Sequence, residues 1–275
     1  MNRLFLSLCW LALALSLALV VGVISILVYK GIGSINWQFL TQISSNFGQS
    51  GGIAHQIIGS LLIVIVAFII SFPLAIATAL FKSEYLNSQR LQYWSDIILH
   101  ILNGVPSVVF GVFALLFFIN ICGWQISWWV GALILAIMML PILTFSSYLY
   151  LQKTSAEIRD ASLALGLNKR QFIQGFLLKR SFTGAITGSF LGLARILGET
   201  APIMWVATIF IGGGLPQSFN EPVVTLSTHI LILAQQANHP QAVANGWGAS
   251  LVLVFMVMTL ASIGFILRKK QLNTH

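Results

Sequence analysis

The sequence predicts an all-α protein, a polytopic bundle of six transmembrane helices. Of its 275 residues, 57% are hydrophobic and 7% are charged, and the mean hydropathy is +0.92. Soluble domains of this length do not have such a composition. The apolar runs are also long and continuous, whereas a transmembrane β-barrel shows alternating segments of about ten residues. The composition therefore excludes a soluble globular domain and a barrel.

Six apolar runs are long enough to cross a hydrocarbon slab of about 30 Å. They cover residues 5–29, 57–81, 98–121, 127–150, 182–211 and 247–267. The first run follows a single early charge, Arg3, and lacks a small-residue cleavage site, so we interpret it as a retained helix and not as a removed signal peptide. We treat residues 1–275 as a single transmembrane domain.

The positions of the positive charges indicate the topology. The chain has 14 lysine and arginine residues and a formal net charge of +8. All of them except Lys30 and Arg195 fall in segments that share one side of the membrane with both termini. By the positive-inside rule, that side is the cytoplasm. We therefore expect a multi-pass protein of the cytoplasmic (inner) membrane with both termini inside, and we expect no nucleic-acid partner.

The second span and its two flanking connections show few chemical signals. The outer connection 31–56 is rich in Gly, Ser, Gln and Asn, and we expect it to be partly ordered against the outer mouth of the protein. The span itself contains Pro73, which a helix bundle tolerates when neighbours satisfy the freed carbonyl. The inner connection 82–96 mixes both signs of charge and is predicted to be a solvated turn.

The third span opens with residues that disturb a helix. Gly104, Pro106 and Gly111 predict a break or kink and a close approach of another helix. A simple packing kink and a role in shaping a solute path both fit this pattern. A short outer turn follows, and three tryptophans in or beside it suit an aromatic belt at the membrane interface: Trp124, Trp128 and Trp129.

The longest cytoplasmic segment, residues 153–181, predicts a short helix, a glycine-permitted turn at Gly166 and a second short helix. Several of its side chains are too apolar for a loop that faces only water: Leu163, Leu165, Leu167, Phe172 and Phe176. Such a surface needs a partner. Docking to another protein is favoured over lying on lipid.

The fifth span combines a glycine ridge with two charges. Gly184, Gly188 and Gly192 form a repeated small-xxx-small pattern that permits very close helix packing. Arg195 and Glu199 follow at i, i+4 spacing, which places both on one helical face. A charge at the bilayer centre costs at least about 2.5–3.5 kcal/mol, so intramembrane charges favour a functional site that faces a solute path. A structural ion pair between helices is the alternative.

The last outer connection, 212–246, has an apolar middle, 223–233, that fits a short re-entrant or interfacial helix. The chain shows no phosphate-binding loop, zinc motif or catalytic triad, and its six acidic residues make a self-contained catalytic centre hard to build. Cys9 and Cys122 show no metal spacing and no basis for a disulfide. We expect no catalytic residue, no metal and no bound cofactor, so uphill transport would need energy from another subunit.

Residues 159–166, Arg-Asp-Ala-Ser-Leu-Ala-Leu-Gly, resemble the cytoplasmic Glu-Ala-Ala…Gly loop of ABC importer permeases. Asp160 stands at the usual Glu position and Ser162 at the second Ala. Further along, Lys179 stands where most of these permeases have proline, and this change resembles one branch, the PstA-type permeases of the phosphate (Pst) importer. The segments Gly104–Gly111 and Ala194–Pro202 resemble the same branch.

The resemblance covers about residues 50–270. It implies the fold of a type I ABC importer permease (MetI-like), with a core at 50–270 and a coupling loop at 153–181. In this family the permease is a heterodimer with a PstC-like chain. Two ATPase subunits, which hold ATP and Mg²⁺, sit on the cytoplasmic side, and an extracytoplasmic phosphate-binding protein delivers phosphate. Membrane lipid surrounds the assembly.

Carried over to this sequence, the resemblance implies roles for two sets of residues. The coupling helix that contacts the ATPase would include Glu157, Arg159, Asp160, Ala161, Ser162, Leu163, Leu165 and Gly166. The phosphate path would be lined by Arg195, Glu199 and Thr200. A permease for another oxyanion, such as sulfate or molybdate, would share the fold. An ATP-independent channel or secondary transporter remains a further alternative.

Overall fold

The computed structural model describes residues 3–86, 88–152, 158, 161–162, 164–208 and 214–272. Within them the chain is almost entirely helical, as predicted. The helices are α1 (Arg3–Gly31), α2 (Trp37–Thr41), α3 (Ala54–Glu84), α4 (Gln89–Gly104), α5 (Ser107–Ala114), α6 (Trp128–Gln152), α7 (Lys169–Phe172), α8 (Leu178–Leu197), α9 (Ala201–Val206), α10 (Leu226–Gln235) and α11 (Pro240–Leu272).

Shorter elements complete the described chain. One π-helical turn, Leu115–Ile121, extends α5, and another, Ile173–Leu177, joins α7 to α8 without interruption. A two-stranded antiparallel hairpin, β1 (Ser44–Ser45) and β2 (Ser50–Gly51), lies in the first outer connection. The hairpin is the exception to the predicted all-α fold.

Four helices are long and apolar enough to cross a membrane: Phe5–Ser34, Ala54–Glu84, Trp128–Gln152 and Pro240–Lys270. They correspond to four of the six predicted spans. The third predicted span is a bent pair, Gln89–Gly104 and Ser107–Ile121, whose axes differ by 93°. Proline at 106 explains the break, because its ring prevents the helix from continuing.

Within the described residues, the predicted span 182–211 is broken and is not one continuous helix. Helix α8 ends at Leu197, and the separate helix α9 begins at Ala201 with Pro202 in its first turn. Proline lacks a backbone N–H and disfavours helical geometry in the residue before it, so the longer helix ends upstream. The described residues therefore hold four or five candidate spans, and the count of six stays a prediction with which the fold is compatible.

Helix α6 is the centre of the bundle and packs against α3 on one side and α8 on the other. It is apolar all round, as expected for a helix surrounded by others. Leu135, Met139 and Leu143 of α6 are fully buried, together with Ile63 of α3 and Ile196 of α8. By contrast, α1 lies at the edge, packs mainly on α11 and exposes most of its apolar side chains.

The inner connection 82–96 is not the solvated turn that was predicted. Lys82 and Glu84 belong to the end of α3 and are both buried, and α4 already begins at Gln89. The Lys82 ammonium pairs with Asp96 and lies 4.5 Å from the centroid of the Tyr148 ring. Its aliphatic stem is thus buried while its charge meets a carboxylate and an aromatic face.

The outer ends of the helices are covered by ordered chain. The first outer connection packs on α11, where Asn245 donates a hydrogen bond to the carbonyl of Gly48 at 2.8 Å. The short helix predicted within 223–233 is present as α10, with a capping box at Thr225. Trp128 does not belong to an aromatic belt, because it is buried and its Nε1 donates to the carbonyl of Ser218 at 2.9 Å.

The loop before α10 is organised by a carboxylate. Glu221 accepts a hydrogen bond from the backbone N–H of Gln217 at 2.7 Å, and its own carbonyl accepts from the backbone of Trp128 at 2.9 Å. The hydrogen bond from the Gln217 backbone stabilises the ionised carboxylate and is the main reason that the pKa of Glu221 is held below its ordinary value. The loop is thereby fixed to the outer end of α6.

Candidate solute site at two helix breaks

Arg195 lies in the last turn of α8, two residues before the helix ends. Its neighbours Ala194, Ile196 and Leu197 are buried, whereas Arg195 is exposed. The end of the helix is closed by the backbone N–H of Gly198, which donates to the carbonyl of Arg195 at 3.3 Å. A cation at this position also complements the partial negative charge of a helix C-terminus.

The Arg195 guanidinium is held by a side chain from another helix. Its Nη1 donates a hydrogen bond to Oδ1 of Asn103 at 2.6 Å. Asn103 lies in the last turn of α4, immediately before the break at Val105 and Pro106. The bond therefore joins the end of α8 to the end of α4, and each of these ends is a helix break. Sequence analysis missed Asn103, although its place directly before Gly104-Val-Pro was a local signal.

The breaks are also joined by the short helices that follow them. A Cβ atom on Gly111 of α5 would lie 2.8 Å from Cδ1 of Trp205 and 2.9 Å from Cα of Pro202, both on α9. Only glycine allows α5 and α9 to approach this closely. A Cβ on Gly104, in contrast, would have no neighbour within 4 Å. Of these two glycines, Gly111 is the one that forms the helix contact.

Glu199 does not share a helical face with Arg195, and that prediction is wrong. The helix ends at Leu197, so Glu199 and Thr200 lie in the break itself. No ion pair joins Arg195 to Glu199 in the described part of the chain, where the pair found is Lys82 with Asp96. Glu199 and Thr200 are half-buried. The backbone of the break is fixed instead, because Ser227 Oγ donates to the Glu199 carbonyl at 3.0 Å.

The three glycines of the ridge on α8 face α6 at very short range. A Cβ on Gly184 would lie 2.8 Å from the carbonyl oxygen of Ser146, and a Cβ on Gly188 would lie 2.5 Å from the Ser146 Cβ. A Cβ on Gly192 would lie 2.8 Å from Cε of Met139. This contact holds α8 against the central helix, and Arg195 is on a part of α8 that remains exposed.

The surface around the site is apolar and uncovered in the isolated chain. It is contributed mainly by α4, α5 and α9. Its exposed members are Ile101, Val108, Val109, Val112, Phe113, Leu116 and Trp205. A concentration of exposed apolar side chains marks a contact with lipid or with another protein. Arg195 is exposed and bonded to Asn103 of α4, so it adds a positive charge beside these helices.

The predicted coupling segment, residues 153–181, is described only in part. Glu157, Arg159, Asp160 and Leu163 lie outside the described residues. Among the others, Leu165 is 79% exposed and Ser162 is buried. Gly166 has a φ of +72°, in the left-handed region that glycine favours, so the turn predicted there is present. Ala161 is exposed, and its carbonyl accepts the backbone N–H of Leu165 at 3.1 Å.

The second half of that segment packs on the bundle. Phe172 is buried with Leu177, Ala79 and Leu151, so the prediction that Phe172 presents itself to a partner is wrong. Leu167, in contrast, is exposed. The Lys169 ammonium donates to the carbonyl of Glu84 and lies over the Tyr85 ring, which fixes α7 to the end of α3. Such long-range contacts leave no local pattern in a sequence.

Comparison with known proteins gives consistent matches. Residues 71–271 match the family described as binding-protein-dependent transport system inner membrane component. The probable ABC transporter permease protein YqgI of Bacillus subtilis is 29% identical over 275 residues, covering 94% of each chain. The phosphate transport system permease protein PstA of Xylella fastidiosa is 32% identical over 254 residues, which cover 90% of this chain and 86% of that protein.

The fold also matches a solved structure. A chain of a bacterial ABC transporter involved in the import of the acidic polysaccharide alginate superposes with a TM-score of 0.61. The superposition covers 96% of this chain and 98% of that chain, at 16% sequence identity. At this level of identity the likeness concerns the fold alone.

Proposed function

The chain belongs to the family of binding-protein-dependent transport system inner membrane components, and from this premise we propose that it carries inorganic phosphate across the cytoplasmic membrane. It is a multi-pass ABC permease subunit of the inner membrane, a class that works with an ATPase and a solute-binding protein. The proposal of phosphate is supported by relatives named as phosphate transport permeases at about 30% identity over most of the chain.

The observation that carries the proposal is the exposed guanidinium of Arg195 at the junction of the two helix breaks. Phosphate has one to two negative charges and several acceptor oxygens, which the planar donors of arginine match in pairs. In a path of low dielectric constant, a fixed cation lowers the barrier for an anion. We place the solute path at the interruption of both helices beside Arg195.

Glu199 and Thr200 complete the proposed path. Since Asn103 and not Glu199 holds the guanidinium, Glu199 is assigned a different role from that of an anchor. Its negative charge near the site keeps phosphate binding weak enough for release, as conduction requires. Thr200 offers a hydroxyl group at the same break.

The other expected partners follow from the same proposal. A PstC-like chain would cover the apolar surface around Arg195. Two ATPase subunits would lie on the cytoplasmic side, and the segment 157–167 would be seated in an ATPase groove. ATP and Mg²⁺ would be held by the ATPase subunits. Both termini would lie in the cytoplasm. Because α7, the π-helical turn and α8 follow one another without a break, a movement of α7, which the turn at Gly166 links to Leu165, would be transmitted along α8 to Arg195.

The test is ATP-dependent uptake of radiolabelled phosphate by the complete complex in proteoliposomes. Wild type is compared with Arg195→Ala, and with Arg268→Ala as a control that removes an exposed arginine at the end of α11. We expect Arg195→Ala to assemble but to lose uptake, and the control to transport normally. Near-normal uptake by Arg195→Ala would refute the role of this residue.

Two further arms separate the alternatives. Excess sulfate or molybdate that blocks phosphate uptake would keep the ABC architecture and overturn the substrate in favour of another oxyanion. Uptake without ATP would favour a channel or a secondary transporter. Phosphate uptake that needs ATP and resists both competitors supports the proposal.

A further inference from the structure

We propose that Asn103 is a positioning residue of the solute site, and that it must be a neutral hydrogen-bond acceptor. This inference rests on the proposed phosphate function, because it concerns how Arg195 is presented to the anion. Asn103 lies on a different helix from Arg195, and 92 positions separate the two residues.

The first argument is the chemistry of the acceptor. The Asn103 amide oxygen accepts one N–H of Arg195 at 2.6 Å and carries no net charge. Guanidinium has five N–H donors, so one bond to an amide leaves the positive charge and most of the donors available to an anion. A carboxylate at the same place would form a paired salt bridge and would compete with phosphate for the same donors.

The second argument is the mobility of an arginine. Arg195 is exposed, and a long exposed side chain loses considerable rotamer freedom when it binds a ligand. Binding is therefore more efficient if the guanidinium is already held in place before the anion arrives. Glu199 does not supply this restraint, since no ion pair to Arg195 is found in the described ranges. Asn103 is the side chain that restrains the guanidinium.

The third argument is the placement of Asn103 in α4. Asp96 lies seven residues earlier, which is two turns away on the same face and about 10 Å along the helix. Asp96 pairs with Lys82 of α3, so α4 is fixed by a side chain at its middle and by Asn103 at its end. The position of the guanidinium thus depends on the position of α4, and a shift of α4 relative to α8 changes the presentation of Arg195.

The experiment compares substitutions of Asn103 in the complete complex. Asn103→Asp keeps the shape and adds a charge, and Asn103→Ser keeps a neutral acceptor with a shorter reach. Each is reconstituted with the ATPase and saturating phosphate-loaded binding protein. The quantity measured is phosphate transported per ATP hydrolysed, because a loss of folding or assembly lowers both rates together, whereas a defect at the site lowers transport alone.

We expect Asn103→Asp to lower phosphate transported per ATP at least about tenfold, which corresponds to the loss of one good interaction of about 1.4 kcal/mol. We expect Asn103→Ser to retain more than the Asp variant. A wild-type ratio for Asn103→Asp would overturn the inference, as would equal loss in the Asp and Ser variants, since charge would then be irrelevant. If Asn103→Asp fails to assemble, variants that keep a neutral acceptor (Asn103→Ser and Asn103→Gln) are compared with Asn103→Ala, which has none. The inference expects more phosphate transported per ATP in the Ser and Gln variants than in the Ala variant. A wild-type ratio for Asn103→Ala overturns it.

The Arg195→Ala variant is measured in the same series, so that the two levels of the argument are separable. Normal transport by Arg195→Ala would refute the proposed function and this inference with it. Loss of transport in Arg195→Ala combined with a wild-type ratio in Asn103→Asp would refute the inference alone and leave the phosphate function standing.

Discussion

The ammonium of Lys82 pairs with the carboxylate of Asp96, and the two partners differ greatly in exposure. The Lys82 side chain is 1% exposed and that of Asp96 is 43% exposed. A buried ammonium that loses its counter-charge has no water to replace it, whereas an exposed carboxylate is resolvated. The two residues therefore depend on the pair to different degrees.

The first prediction follows from this asymmetry. Asp96→Asn leaves a buried cation without its carboxylate, and we expect it to lower the free energy of unfolding by about 1–3 kcal/mol, less than for a fully buried pair. Lys82→Met removes the buried charge and keeps an apolar stem, so we expect a change within about 1 kcal/mol. Thermal unfolding of the purified complex in detergent measures both. A larger loss for Lys82→Met would contradict the argument.

The second prediction concerns the contact between α8 and α6. A Cβ on Gly188 would lie 2.5 Å from the Cβ of Ser146, which does not move away by a rotamer change. We expect Gly188→Ala to destabilise the protein by about 1–3 kcal/mol, as overpacking typically does.

The matched control for the Gly188→Ala variant is Gly22→Ala. A Cβ on Gly22 in α1 would have no neighbour within 4 Å. Since alanine is the better helix former by about 1 kcal/mol, this variant should be neutral or slightly more stable. Equal melting temperatures for the two variants would show that the space at Gly188 is not limiting.

Sequence patterns predicted the elements whose causes are local. The helical bundle follows from apolar composition, the turn at Gly166 from glycine, and the bend before Ser107 from proline, where the axes differ by 93°. The helix end at Leu197 was missed for a physical reason. Membrane helices tolerate glycine and proline when neighbours satisfy the backbone, so Gly198 and Pro202 alone did not decide between a kink and an end.

Local sequence patterns did not predict the contacts of the polar side chains. The Lys82 ring contact joins α3 to Tyr148 on α6, and the Arg195 bond joins α8 to Asn103 on α4. Each pairs residues from helices that are far apart in the sequence, and periodicity within one helix shows only which face is apolar. The sequence therefore predicted the charge at the site and missed the group that holds it.

The third prediction separates two glycines of the same broken span. Gly111→Ala would place a methyl group 2.8 Å from the Trp205 ring and 2.9 Å from the backbone of Pro202, so α5 and α9 would have to move apart. We expect the rate of phosphate uptake to fall at least about threefold, which corresponds to a rise of about 0.7 kcal/mol in the activation free energy of transport. Gly104→Ala, where the added methyl group would meet no neighbour, should transport normally. A similar loss in both variants would argue against a role for the α5–α9 contact.

The fourth prediction concerns the exposed apolar side chain of the coupling segment. Leu165 is 79% exposed although it is a leucine on the proposed cytoplasmic face, and this favours a partner that covers it. Leu165→Glu would place a charge in that contact without disturbing the core, so we expect loss of ATPase co-purification or of coupled ATP turnover, while the permease itself keeps its melting temperature. Leu165→Met keeps an apolar group of similar volume, so this variant should retain both ATPase co-purification and coupled ATP turnover. Unchanged co-purification and ATP turnover in Leu165→Glu would count against docking at this position. A drop in melting temperature would indicate that Leu165 supports the fold instead.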